Sequence, residues 1–251
     1  MVLTRTERVR PSAPPARRRW YWVLSQTGLV TAAVFVYFGV RGLTVGSVEA
    51  AEQHAQTIVD MERALGIAVE GALQRPFDEP GMLQTLANWV YIWGHWPVIV
   101  GTMLWLAFRH TDHLLRLRDA MIVSGAMGML IFVSYPVAPP RLVDLGLVDT
   151  VTETSTAYRV LQPPAFVNQY AAMPSLHAGW DLLVGIAIVT ASTSVVVRVL
   201  GYLMPLLMTI SVVVTANHYV LDVVAGVALV LIGHWAALAF ERRRKRARGS
   251  G

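Results

Sequence analysis

Residues 199–240, VLGYLMPLLMTISVVVTANHYVLDVVAGVALVLIGHWAALAF, carry one charged side chain, Asp222. A surface helix of a soluble protein keeps a polar face. Here every face is apolar, and the run is about twice the ~20 residues that cross a hydrocarbon core. The interruption at Ala216-Asn217 is where a tight turn folds it into two spanning helices, 199–221 and 223–240. Outward from this hairpin, further charge-free windows fall at 20–40, 80–108 and 120–140, with a shorter one at 182–197 that extends back to about Pro174. The expected fold is therefore all-α: a polytopic membrane protein with a bundle of six transmembrane helices. Trp20, Trp22, Trp93, Trp96, Trp180 and Phe240 sit near the window ends, where amphipathic rings favour the headgroup region.

Composition agrees. Of 251 residues, 55% are hydrophobic and 15% charged, against about 25% charged in soluble domains, and the mean hydropathy is +0.49. No cysteine is present, which excludes disulfide scaffolds, Cys-ligated zinc, iron–sulfur clusters and thiol catalysis. The formal charge is +5, but the bases sit at chain ends and between apolar windows, a membrane topology signal rather than a nucleic-acid surface. With the N-terminus inside, sixteen of the 21 Lys and Arg residues fall on cytoplasmic segments and five, Arg41, Arg63, Arg75, Arg141 and Arg159, outside. The positive-inside rule then makes both termini cytoplasmic in a multi-pass protein of the cell membrane. The apolar run at 20–40 is too long for a cleaved signal and reads as a retained span.

The organisation is a basic cytoplasmic tail (1–19), a membrane domain (20–240) and a second basic tail (241–251), both tails reading as disordered. Residues 45–66 have Val48, Ala51, Ala55, Ile58 and Val59 at helical spacing, with Gly66 as a stop. They read as an outer amphipathic helix, lying on the membrane or packed against the bundle. Gly201, Ala225 and Gly226 allow close helix packing, within the bundle or between copies.

Ionisable groups at membrane depth are costly and mark function. Four places qualify: Tyr135-Pro-Val-Ala-Pro-Pro-Arg141; Met173-Pro-Ser-Leu-His-Ala-Gly-Trp180, where Pro174 suits a first helical turn and the amides can meet an anion; Asp181; and Asn217-His218-Tyr-Val-Leu-Asp222. The topology brings all four to the extracytoplasmic side. His218 and Asp222, like His177 and Asp181, are four apart, so a carboxylate can orient each imidazole. Two histidines, a cation and a helix N-terminus suit phosphoryl transfer, one His attacking phosphorus, the other protonating the leaving oxygen, and Arg141 balancing charge. His95, in Gly-His-Trp-Pro, reads more readily as structural.

Pro-Ser-Leu-His at 174–177, His-x-x-x-Asp at 218–222 and Pro-x-Ala-Pro-Pro-Arg at 136–141, with Tyr-Ile-Trp-Gly-His-Trp-Pro at 91–97, resemble the type 2 phosphatidic-acid phosphatase superfamily over roughly 86–240, and within it the inositol phosphorylceramide synthase branch. The resemblance implies an inositolphosphotransferase-like enzyme that uses no metal or other cofactor and forms a phosphohistidine. His218 is then the nucleophile, Asp222 its partner, His177 the general acid, and Ser175 a phosphate ligand. Arg141 and Arg159 are the candidate phosphate cations, and Asp181 a supporting acid. The substrate would be a phospholipid or a polyprenyl- or sphingolipid-type lipid. Leu176 replaces the Gly of the phosphatase branch. Ser134, Ser211 and Val212 stand where that branch carries a Lys and a Ser-Arg pair, so two of its usual cations are missing. The alternatives are a lipid phosphate phosphatase with water as acceptor, zinc held by the His-x-x-x-Asp units, and a non-catalytic transporter or scaffold. A metal-dependent phosphatidyltransferase is disfavoured because no Asp-x-x-Asp-Gly motif is present.

Overall fold

The computed structural model describes residues 48–154 and 169–249 and parts of the stretch 21–39. About half of the expected first span, the tail 1–19 and Arg159 lie outside the described residues. Those described form helices and no strand; a single bridge joins Val137 to Ala171. In chain order the helices are α1 (Val48–Leu65), α2 (Glu70–Gln74), α3 (Met82–Trp93), α4 (Trp96–Arg109), α5 (Thr111–Ser134), α6 (Thr150–Thr154), α7 (Leu176–Ala191), α8 (Val195–Val214) and α9 (Val220–Gly249).

Three of them, α5, α8 and α9, are long and apolar enough to cross a membrane. The window 80–108 is instead two helices, α3 and α4, bent by 47° at Gly94–His95; taken as one broken span they make a fourth. Pro97, in the first turn of α4, starts a helix well and continues one poorly. The α7 helix is apolar but has 16 residues. Large apolar side chains point outward, among them Trp235 at 81%, Val195 at 75% and Leu130 at 71% exposure, where a soluble bundle would place charge. Apolar helices of this kind fit a multi-pass membrane protein.

Several boundaries differ from the charge-free windows. α5 begins at Thr111 and includes Arg116, Arg118 and Asp119, charges that are paired: Arg116 Nε donates to Glu241 Oε2 at 2.8 Å, and Arg118 and Arg244 both bind Asp119. The same pairs, with Lys245 Nζ to Glu241 Oε1 at 2.7 Å one turn apart, carry α9 to Gly249. Most of the 241–251 tail is therefore helical rather than disordered. The break between α7 and α8 falls at 192–194, before Arg198, because Ser194 takes the helix-capping position and its N–H meets Ser192 Oγ at 3.1 Å.

The glycines resolve toward packing within the bundle. A Cβ at Gly226 would lie 2.2 Å from the Ser175 carbonyl oxygen, and one at Gly201 2.9 Å from Val189. Gly226 thus lets α9 cross the start of α7 backbone to backbone, which brings the two histidine motifs together. α1 ends in a Schellman turn: Gly66 has φ +70°, its N–H bonds the Arg63 carbonyl, and Ile67 N–H bonds that of Glu62. Its apolar face, Ala51, Ala55, Ile58 and Val59, is buried with Val137, Ala138, Ala172 and Tyr219. Of the two placements open from sequence, the face packs against the bundle.

Candidate active site

Loops and helix starts converge at this end of the bundle, knitted by backbone hydrogen bonds. Val137 N–H bonds the Tyr170 carbonyl, Ala138 that of Ala51, Arg141 that of Ala216, and Ser175 that of Asp222. His54 on α1 fastens the same loop, its Nδ1 2.7 Å from the Pro136 carbonyl and its ring stacked on Tyr135. A proline-rich loop has few N–H groups of its own to satisfy, so neighbours must hold it.

His218 lies in the turn between α8 and α9, buried. Its Nδ1 is 2.7 Å from the Ala172 carbonyl oxygen and 3.5 Å from Asp222 Oδ2. A carbonyl only accepts, so Nδ1 carries the proton and Nε2 keeps its lone pair. Asp222 was expected to take that hydrogen bond. Its Oδ2 stays within ion-pair reach of the ring at 3.5 Å but accepts its shorter bond from the Tyr219 N–H at 2.9 Å, because α9 starts only at Val220 and leaves His218 outside the helix face that the four-residue spacing assumes.

The first amides of α9 are held by acids from far away in sequence. Val220 N–H donates to Glu70 Oε1 at 3.0 Å and Leu221 N–H to Glu62 Oε1 at 2.7 Å. A helix N-terminus favours such charges. Glu62 is nonetheless pushed up to about 8, chiefly by its burial. The Leu221 N–H opposes this, while the hydrogen bond and charge of Glu70 and the charge of Asp222 add to it.

His177 stands on the first turn of α7. Its ring centroid is 6.0 Å from that of His218, and Tyr91 stacks on it at 4.9 Å. Ser175 is the N-cap, its Oγ 3.4 Å from Ala178 N. Pro174 precedes the cap rather than opening the first turn. Asp181, expected as a partner of His177, bonds His95 instead: Asp181 Oδ1 lies 2.8 Å from His95 Nδ1. Arg141 reaches the His218 turn, donating from Nη1 to Asn217 Oδ1 at 2.6 Å, with its Nε 3.4 Å from Asp149 Oδ2. The segment around Asp149 is clipped on both sides, by Gln74 at Val148 and by Asn88 at Thr150. Ser211, at a position where the related pattern has its Ser, spends its hydroxyl on the Ala87 carbonyl at 2.6 Å.

His177, His218, Asp222, Ser175, Arg141 and Asp181 are thus brought to one region; Arg159 lies outside the described residues. Sequence reasoning passed over Asp149, Glu62 and Glu70 and read His95 as structural. Only His95 had a signal, a histidine inside an apolar window. Among the described residues no group of three or more His, Asp or Glu side chains is arranged to hold a metal ion.

One end of the apolar helical bundle thus gathers two imidazoles, a guanidinium and a capped helix N-terminus, an arrangement able to meet an anionic group. The family model of the PAP2 superfamily matches residues 56–236, and the chain belongs to that superfamily. Membership points to phosphatase or phosphotransferase chemistry on a lipid in the bilayer. No curated protein and no solved structure is significantly similar to the chain.

Proposed function

We propose that this protein is an integral membrane lipid phosphotransferase of the inositol phosphorylceramide synthase type, acting through a phosphohistidine on His218 at the extracytoplasmic face. The observation that carries the reading is the His218 tautomer: the Ala172 carbonyl takes the Nδ1 proton and leaves Nε2 as a nucleophile. In the first half-reaction Nε2 attacks phosphorus and the bond to the leaving alcohol breaks. That oxygen takes a proton from His177. In the second, the acceptor hydroxyl gives its proton to His177 and attacks phosphorus, the N–P bond breaks, and His218 returns to its starting form. Arg141 and the N-terminus of α7, capped by Ser175, balance the phosphoryl charge. Asp222 stabilises the imidazolium character that develops on His218.

In this reading the window 20–40, the bent pair α3–α4, and α5, α7, α8 and α9 make six spans, with α7 as the shortest single helix. Both termini are cytoplasmic, following the arginine distribution. Arg159 is a second candidate phosphate cation.

The test is a nanodisc assay with a labelled phospholipid donor, with and without an alcohol-bearing lipid acceptor, in EDTA, on the native protein and on His218→Ala. Acceptor-dependent lipid product that persists in EDTA and vanishes in the variant is expected. Phosphate release without acceptor would make the protein a phosphatase. Loss of activity in EDTA, or its survival in His218→Ala, would overturn the mechanism.

A further inference from the structure

A third imidazole stands beside the pair. His95, at the bend between α3 and α4, is 3% exposed, and its ring centroid lies 4.4 Å from that of His177 with the planes tilted by 44°. Asp181, its partner, is 1% exposed and sits one turn further along α7 than His177. Asp181 Oδ1 is engaged by His95, while Oδ2 is buried with no hydrogen-bond partner. Trp96 and Trp180 lie around the His95 ring at 5.1 and 6.2 Å, so the pair is embedded among aromatic side chains. Packing alone would be served as well by two apolar residues, since a buried ionic pair seldom stabilises more than its apolar replacement. The polar pair instead stands against the one histidine that must hold its ring in register with a leaving oxygen.

We propose that His95 and Asp181 are positioning residues for His177. Asp181 pins the His95 ring through its Nδ1–H, and His95 and Tyr91 together fix the plane from which His177 delivers its proton. This rests on the reading of His177 as the general acid. A proton donor misplaced by about 1 Å costs roughly 10²-fold, but only where the leaving group needs the proton.

The experiment therefore compares leaving groups. Two matched ester pairs are offered in nanodiscs together with an alcohol-bearing lipid acceptor: dihexanoyl phosphatidic acid against 4-nitrophenyl phosphate, and dihexanoyl phosphatidylinositol against 4-nitrophenyl phosphoinositol. The pair that the native protein turns over is the one read. Asp181→Asn is expected to lose about 10²-fold in kcat/KM, which reports the leaving-group step, on the alkyl ester and less than about tenfold on the nitrophenyl ester, whose phenolate leaves unprotonated. His177→Asn is expected to show the same discrimination more strongly. His95→Gln, which keeps a donor toward Asp181, should recover most of the alkyl-ester rate. If Asp181→Asn does not fold, His95→Phe, which keeps the ring face and loses the bond, reads the same ratio. Equal losses on both esters in these variants, with discrimination intact in His177→Asn, would overturn the positioning role alone. Equal losses in His177→Asn, or no turnover of either pair by the native protein, would overturn the reading beneath it.

Discussion

His177 and His218 each precede an aspartate by four residues, yet the two pairs come out differently. In α7 both members are helical and share a face, and both turn toward His95, the imidazole by ring contact and the carboxylate by a 2.8 Å bond. At α9 the helix begins two residues after His218, so the spacing no longer measures a helix face. Asp222 caps the turn, and a carbonyl from residue 172 takes the imidazole proton. A four-residue spacing names candidates; where the helix starts decides whom they touch.

The largest effect expected is on His218. If its Nε2 forms the bond to phosphorus, His218→Ala should lose about four decades or more in kcat, read as initial rate against membrane-inserted protein. A loss within tenfold would place the nucleophile elsewhere and make the α9 pair the structural one. Asp222→Asn comes next, at about ten- to a hundredfold. The reason for the smaller figure is the Ala172 carbonyl, which fixes the tautomer by itself, whereas losing an aspartate that holds the tautomer costs about 10⁴. A loss as large as that of His218→Ala would mean that the carbonyl does not hold the ring unaided. Gly226→Ala tests the approach of the two motifs without replacing a residue of either: the new methyl must push α9 off the Ser175 backbone, at a cost of about 1–3 kcal/mol. A fall of several degrees in the melting temperature of purified protein checks it, and an unchanged melt would mean that the helices are less tightly crossed.

These contrasts follow what the sequence could carry. The apolar windows announced membrane helices, and the histidine and proline motifs named His177, His218 and Arg141, because those signals are local. The bend at His95 hid inside one apolar window, since charge-free length does not register a change of axis. Glu62 reads as an exposed acid on an amphipathic helix, and nothing near it in the chain foretells Leu221, 159 residues away. Asp149 is likewise a loop acid until Gln74 and Asn88 clip its flanks. Chain ends of helices were misjudged where ion pairs such as Arg116–Glu241 let charged residues stay helical.

Glu62 supplies the smallest effect and the finest test of the α9 start. Its carboxyl, held near 8 in the folded protein, keeps a proton that the unfolded chain releases near the ordinary 4.5. Between those values the folded state binds more protons, so stability falls as pH rises from about 4.5 to about 8 and is level outside that window. Glu62→Gln keeps an oxygen for the Leu221 N–H and has no proton to lose, so its stability lacks this slope. The variant and the native protein should melt within about a degree of each other near pH 5. By about pH 8.5 the variant should melt higher by several degrees, with activity kept, since neither His218 contact involves residue 62. Parallel melting curves across the range would mean that Glu62 does not hold its proton at this helix start.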